Sequence, residues 1–512
     1  MTSSPRRLFL GGELHNSSAS NAASLREAFW RVRELGADTV LAPVSWETIE
    51  PREGVFDLSL VDTALETAET YGLDWVPLWF GAWKNGASTY VPGWVKRDGE
   101  RFPRAQSTAG AMQHISPFGD EIAAADATAF AQVLARIKKS GAAHIVPFVQ
   151  VENEPGLLGA RRDESDVASA CWHRDVPDAV IAAVRNTRGR LRSAWESKGR
   201  QAEGSWSQVF GPEADEAFMA WAYATHIEKV AARGKAELGV PLYVNAWLDA
   251  VNPMTPADEL VTGGAEPGSY PSGGPVPHLL PLWRALTPSI DFYSPDIYFG
   301  DFDATCGAYA AVSDRLVIPE MRRDQLGIAH MFRAIGEHNA ELVAPFGLDS
   351  LHAGAPDHDE IVDAYGLLAA MRETVVGAPS DSVRGFFVDR ANPVARLTIG
   401  EFDLVASLDD PRGMLDEGEI GFGIAVDMGS ALRVAGRGFL LQPAEPVTGR
   451  TGLASVIERA RGLEVHRVLN GDETGGGNEV RFHRLYSGRG QGVVPFDTRF
   501  TGIIDIELYH FE

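Results

Sequence analysis

Two glutamates occupy matching places in the chain. Glu154 lies in "FVQVENEPGLLG" (148–159) and Glu320 in "RLVIPEMRRD" (315–324), each closing a short apolar, β-rich run. Two carboxyls either side of a glycosidic bond are what its hydrolysis requires. One must carry a proton to release the leaving oxygen; the other must be charged, to attack the anomeric carbon or to activate water. Residue type alone leaves open which does which. Arg322 and Arg323 are expected to help keep Glu320 ionised, because nearby positive charge lowers a carboxylate's pKa. Asn153 and Pro155 are expected to fix the turn that holds Glu154. A single glutamate at a strand end is more often an ordinary loop acid. Two of them, on the fourth and seventh of eight strands and among aromatics, are harder to dismiss.

Those aromatics are Trp46, Trp79, Trp83, Trp247 and Tyr298, all at or just after expected strand ends. Sugar rings present apolar C–H faces that stack on such side chains. Any one tryptophan belongs to a core more often than to a sugar platform, but five at one face are expected to include platforms. In "WFGAWKNG", Lys84 and Asn85 could donate hydrogen bonds to sugar hydroxyls, and Asn245 in "PLYVNAW" is a further substrate-binding candidate. Other chemistries lack support: the chain has no HExxH, CxxC, P-loop or GxSxG motif. His226, His330 and His338 fall in helical segments without metal spacing, and surface or packing roles are expected for them. No metal and no cofactor is called for.

Positioning two strand-end carboxyls opposite each other requires a particular scaffold. The first three-quarters of the chain repeats one unit: β-rich run, polar loop, amphipathic helix, Gly, next run. The runs are residues 8–13, 39–46, 74–80, 144–151, 241–247, 289–294, 315–320 and 341–347. Helical stripes lie between them, as with Leu25, Phe29, Val32 and Leu35 before Gly36. Later helices are expected at about 215–235, 278–286, 325–338 and 360–374. Eight alternating units predict a (β/α)8 barrel over residues 1–377, in which strand C-termini carry the chemistry. The structural rival is a doubly wound sheet, which usually has a Gly-rich phosphate turn after its first strand; "GGELHNSS" is not one. Residues 156–215 read as a charged insertion and 262–277 as a Gly/Pro-rich loop, both expected to shape a pocket. From residue 378 to 512 short strands between Gly, Asp and Asn turns predict a C-terminal β-sandwich, jelly-roll-like.

Composition narrows the function. The 512 residues are 45% hydrophobic and 23% charged, ordinary for a globular protein. A formal charge of −24 without a basic cluster argues against nucleic acid or an anionic membrane as partner. Cys171 and Cys306 imply no disulfide framework. The short apolar run Leu8–Leu10 is too brief for a signal peptide, and no run approaches the ~20 residues of a membrane span, so a cytoplasmic location is expected. The expected partner is an oligosaccharide or glycoside; self-association is left open.

The barrel resembles the retaining β-glycosidases of glycoside hydrolase family 35, the β-galactosidase family, over about residues 6–375. "GGELH", "SWETIEPREGVFD", "GLDWVPLWFGAWKNG", "QVENEPG" and "IPE" carry the resemblance. It implies that Glu154 is the acid/base, Glu320 the nucleophile and Asn153 a contact of the sugar 2-hydroxyl. Two blocks depart from the family. Pro43-Val44-Ser45-Trp46-Glu47 replaces its Tyr-Val-Pro-Trp-Asn, and Ala82-Trp83-Lys84 its Ala-Glu-Trp. Those blocks contact galactose hydroxyls, so retention carries over better than galactose preference. The implied activity is an exo-acting retaining β-glycosidase, with β-galactosidase first. A β-glucosidase-like enzyme or transglycosylase is the alternative on the same scaffold, and a non-catalytic carbohydrate-binding protein the alternative of another class.

Overall fold

The computed structural model describes residues 7–251, 264–313, 315–355, 357–409, 418–444, 450–484 and 500–511. Thr262 and Gly263 of the Gly/Pro-rich loop, and residues 485–487 of "EVRFHRLYS" (479–487), which reads as one of the C-terminal strands, lie outside the described residues.

Eight parallel strands close into a barrel. They are β1 (Phe9–Glu13), β2 (Thr39–Ser45), β3 (Asp74–Lys84), β4 (Val149–Asn153), β5 (Leu242–Trp247), β6 (Phe292–Ile297), β7 (Val317–Met321) and β8 (Leu342–Pro345). They follow one another round the ring in chain order, and β1 pairs with both β2 (Gly11↔Thr39) and β8 (Phe9↔Leu342). Most strand residues are buried, as expected for strands covered on both faces. The covering helices are α1 (Ala22–Glu34), α2 (Ser59–Tyr71), α3 (Asp120–Ser140), α4 (Ala214–Glu237), α5 (Leu280–Leu286), α6 (Phe302–Ser313), α7 (Gln325–Glu337) and α8 (His358–Gly377). On α1 the stripe Leu25, Phe29 and Val32 is buried. Gly72 and Gly141 end α2 and α3 in the left-handed conformation that glycine takes without steric cost.

Strand limits differ most from expectation at three strands, one of them β6, which spans Phe292–Ile297 where 289–294 is expected. β4 begins at Val149, because residues 143–145 form a 3-10 turn, and β3 runs four residues past the expected Phe80 to Lys84. The charged insertion after β4 folds into short helices at Asp166–Trp172, Asp178–Arg185, Arg190–Ser197 and Trp206–Phe210.

The C-terminal strands are β9 (Val383–Val388), β10 (Val394–Ile399), β11 (Phe402–Leu408), β12 (Gly421–Asp427), β13 (Leu432–Arg437), β14 (Phe439–Pro443), β15 (Arg450–Arg459), β16 (Val465–Val468), β17 (Val480–Phe482) and β18 (Ile503–Phe511). They form two antiparallel sheets, ordered β9-β12-β13-β18-β15-β16 and β10-β11-β14-β17. Phe386, Val434 and Ile504 of the first sheet share one core with Leu404, Phe439 and Phe482 of the second. The packing is that of a sandwich.

By its internal contacts the chain divides into two compact units. One comprises Gly11–Arg33 and Asp38–Glu320, and holds all of the side chains considered below as a catalytic group. The other comprises Met1–Leu10, Glu34–Ala37 and Met321–Glu512. Within that second unit α7 seats on β9 at a glycine pair: a Cβ on Gly336 would lie 2.3 Å from the Gly385 nitrogen. Arg437 clamps Asp363 of α8 with two hydrogen bonds of 2.9 Å.

Candidate active site

The C-terminal ends of the barrel strands are built around one irregularity. β3 pairs with β4 at Trp79↔Val151 and next at Lys84↔Asn153, so residues 80–83 bow out opposite the single residue Glu152. Glu152 fills the bow. Its carboxylate accepts from the backbone N–H of Ala82 (3.2 Å) and of Trp83 (2.7 Å). Gly81 is required there, since a Cβ would lie 2.3 Å from Glu152 Oε1. Glu152 and Glu154 both have positive φ, 61° and 48°, a conformation costly for residues with a side chain. The bow and this backbone turn break the strand's alternation.

Glu154 is held from two sides. Its backbone N–H donates to Asn245 Oδ1 at 2.8 Å, and Asn245 Nδ2 donates to Asp296 Oδ2 at 2.7 Å. The following turn is locked by the Gly/Pro-rich loop: Leu157 and Ser272 exchange two backbone hydrogen bonds of 2.9 Å. Gly156 and Gly274 permit this approach, as a Cβ on either would come within 2.5 Å of a carbonyl oxygen of Pro271 or Pro155. Glu320, on β7, accepts from the Tyr298 hydroxyl at 2.7 Å.

One oxygen each of Glu154, Asp296 and Glu320 lies within 4.8 Å of the others. Glu13, at the end of β1, and Lys84, at the end of β3, act electrostatically on Glu154, Glu320 and Asp296 or on one another. All five side chains are buried, Glu154 and Glu320 being 6% and 9% exposed. Burial and then the charge of Glu320 push the Glu154 carboxyl up to about 7, against the pull of Lys84 and of a hydrogen bond with Asp296. Burial and neighbouring carboxylates likewise raise Glu13 and Asp296 well above the ordinary carboxylate range. Burial opposes the charge on Lys84, but the surrounding carboxylates outweigh it and raise its pKa. Its ammonium also sits 4.9 Å from the Phe80 ring centre. The arrangement therefore pairs a carboxyl poised to give a proton at neutral pH with a second carboxyl at the short spacing that suits direct attack.

Of the residues expected at the site, Glu154, Glu320, Lys84, Asn245 and Tyr298 come together here. Asn153 is fully buried, and both polar atoms of its amide lack a hydrogen-bond partner. Trp247, at the end of β5, is partly exposed, and Asn85 is exposed with φ of 52°. Three tryptophans are corrected from platform to core. Trp79 donates its indole N–H to Asp126 (2.8 Å) and packs on Phe130 of α3. Trp83 donates to the Ile115 carbonyl (3.0 Å) and packs on His114, Tyr223 and His226. Trp46 donates to Glu50 (2.8 Å) and meets Trp94 edge-on. All three are at most 1% exposed, and each uses its indole N–H inside the core. Arg322 hydrogen-bonds Asp324, and Arg323 the Gly347 carbonyl and Ser350; Lys84 is a cation among the carboxylates.

Sequence reasoning missed Glu13 and Asp296. "GGELH" places Glu13 at the end of the first strand as Glu154 closes the fourth, and "SPDIYF" places Asp296 two residues before Tyr298. The strand-end rule applied to those runs would have found both. A second group with metal-ligand proximity is Asp126, Glu152 and His226, fully buried under β3. Its carboxylates already accept from the Trp79 indole, the Ala82 and Trp83 amides and His226 (3.1 Å), so it serves as a brace for the bow.

A family model described as a domain of unknown function, DUF5597, matches residues 361–481. No curated protein matches the chain. Among solved structures, a catalytic mutant of Gan42B, a GH42 β-galactosidase from G. stearothermophilus, has 12% identity and a TM-score of 0.51, covering 73% of this chain and 59% of its own. The β-galactosidase from the psychrophilic Marinomonas ef1 has 14% identity and a TM-score of 0.49, covering 73% and 61%. The exo-β-1,4-mannosidase Op5Man5 from Opitutaceae bacterium strain TAV5 has 13% identity and a TM-score of 0.42, covering 74% and 62%. The chain thus spans about three fifths of the length of these structures. At such identities the likeness is one of fold. The chain has a closed (β/α)8 barrel followed by antiparallel β-sheets, and the barrel fold is what it shares with Gan42B.

Proposed function

We propose that the protein is an exo-acting, retaining β-glycosidase, with β-galactosides the first substrates to test. The observation that carries this reading is the buried cluster in which oxygens of Glu154 and Glu320 lie within 4.8 Å, one carboxyl raised to about 7. In the first step Glu154 gives its proton to the glycosidic oxygen while Glu320 attacks the anomeric carbon. The leaving group departs as an alcohol and a covalent glycosyl-enzyme remains. In the second step Glu154, now a carboxylate, takes a proton from water as that water attacks the anomeric carbon and frees Glu320. Tyr298 orients the Glu320 carboxylate, and Lys84 offsets the charge of the surrounding acids. Near-complete burial of both carboxyls favours a pocket for a terminal sugar over an open cleft. In this reading residues 1–377 are the catalytic part, 378–512 an appended sandwich, and the enzyme works in the cytoplasm; among the described residues no helix is long and apolar enough to cross a membrane.

A second reading keeps the mechanism and changes the sugar to a β-glucoside, or the acceptor from water to another sugar. Lys84 favours it, since the block Ala82-Trp83-Lys84 stands where family 35 reads galactose. Hydrolysis of a panel of nitrophenyl β-glycosides decides. Turnover of one or more, abolished in Glu320→Gly, is expected. Sugar binding without turnover of any activated glycoside would instead make the protein a carbohydrate-binding module.

A further inference from the structure

The buried cluster contains more carboxyl groups than the two-step mechanism uses. Glu13 is the one with no task in it. It ends β1, is 1% exposed, and its Oε1 is buried without a hydrogen-bond partner. It sits among reacting groups: Glu320, Lys84 and Glu154 act on it, and its carboxyl is in hydrogen-bonding contact with Glu320. Other polar atoms left unpartnered around it are both amide atoms of Asn153, Glu320 Oε2, Asp296 Oδ1 and the Tyr243 hydroxyl. Tyr243 feels the charges of Glu13, Asp296 and Glu320, which places it against the same cluster. Buried polar groups are normally satisfied. A concentration of unsatisfied ones, contributed by five strands of the barrel, suits a site whose hydrogen bonds are completed by a polyhydroxylated ligand.

We propose that Glu13 is a specificity-determining residue of this pocket, its carboxyl hydrogen-bonding a hydroxyl of the sugar held at the cleavage point. The proposal rests on the glycosidase reading and adds to it the contact that reads the sugar. A carboxyl here can do what an alanine cannot. Burial and its acidic neighbours raise the Glu13 pKa, which favours a carboxyl able to donate a hydrogen bond. Facing the sugar, it can donate to, or accept from, a hydroxyl. It also sets the class of sugar. With Glu13, Glu154, Asp296 and Glu320 around one ammonium, the site suits a neutral hexoside better than a uronic acid, whose carboxylate would lose its hydration among buried acids that only one cation offsets.

Binding and hydrolysis separate the proposal from the reading it rests on. Affinities of wild type, Glu13→Gln and Glu13→Ala for the best-bound monosaccharide and its monodeoxy analogues are measured by calorimetry, and kcat/KM on the matching nitrophenyl glycosides in parallel. Glu13→Ala is expected to lose about 10²-fold on the parent sugar but little on the one deoxy analogue that lacks the hydroxyl Glu13 reads, as a site built to hydrogen-bond a hydroxyl discriminates steeply. Glu13→Gln, which keeps shape and donor, should retain activity within about tenfold. Equal losses by Glu13→Ala on the parent and on every deoxy analogue, or a Glu13→Gln as impaired as Glu13→Ala while still folded, would overturn the proposal. Wild type that binds sugars without hydrolysing any glycoside defeats the enzymatic reading alone, and the binding arm still decides Glu13. Wild type that binds no sugar defeats both.

Discussion

Replacing Glu320 by Gln should make Glu154 a stronger acid. Burial is the main cause of the raised Glu154 pKa, and the charge of Glu320 the next. With carboxyl oxygens within 4.8 Å, the Coulomb repulsion is roughly 3.5 kcal/mol at an effective dielectric of about 20, and roughly 0.9 kcal/mol if the gap were as polarisable as water. Those limits correspond to about 2.5 and about 0.6 pH units. Glu320→Gln is therefore expected to lower the Glu154 pKa from about 7 by roughly one to two units, burial maintaining the remainder. Lys84→Met should move it upward, because the ammonium favours the charged form. The assay is a 13C titration of glutamate side-chain carboxyls, with Glu154 assigned by the signal lost in Glu154→Gln. The shift has a catalytic use: once Glu320 is esterified by the sugar its charge is gone, and Glu154 becomes the carboxylate that the second step needs as a base. A Glu154 pKa that does not move in Glu320→Gln, or that already lies near the ordinary 4.5 in wild type, would refute the reasoning.

Three further outcomes follow. The alkaline limb of kcat/KM should fall near pH 7, because an acid with a pKa of about 7 is lost as pH rises through that value; a profile flat to pH 9 contradicts the assignment of Glu154. Glu154→Ala should harm poor leaving groups far more than nitrophenolate, and azide should restore turnover by attacking the glycosyl-enzyme, whereas equal loss without rescue tells against it. Trp79→Phe should cost about 1–3 kcal/mol of stability by leaving Asp126 Oδ1 without its donor while leaving KM within about twofold; thermal unfolding and kinetics together check this, and a large KM change would return Trp79 to the sugar.

The barrel was legible because each unit obeys simple rules: a strand buried on both faces, an amphipathic helix, a glycine stop. Glu154 and Glu320 were legible as acids where such strands end. What the sequence hid lies at β3 and β4. There the bow of residues 80–83 and the positive φ of Glu152 change which way side chains point. Their place at the strand end suggests Trp79 and Trp83 for the site, but Trp79, just before the bow, packs on α3, and the bow packs Trp83 on α4 while bringing Lys84 to the carboxylates. The force behind the bow, Glu152 capped by two amides 69 and 70 residues away in sequence, is a long-range contact that local pattern does not encode. Gly81→Ala should expose this dependence, losing about 1–3 kcal/mol by overpacking together with activity.

The central claim is that Glu320 forms a covalent bond to the sugar. A 2-deoxy-2-fluoro β-glycoside with a dinitrophenolate leaving group slows both steps but keeps the first accessible, so the intermediate accumulates. After incubation, intact-mass and peptide mass spectrometry should find one fluorosugar per chain, on the peptide containing Glu320, with release of dinitrophenolate matching enzyme concentration. A fluorosugar on Glu154 or Asp296, or turnover of the parent glycoside with inversion at the anomeric carbon, would contradict the account.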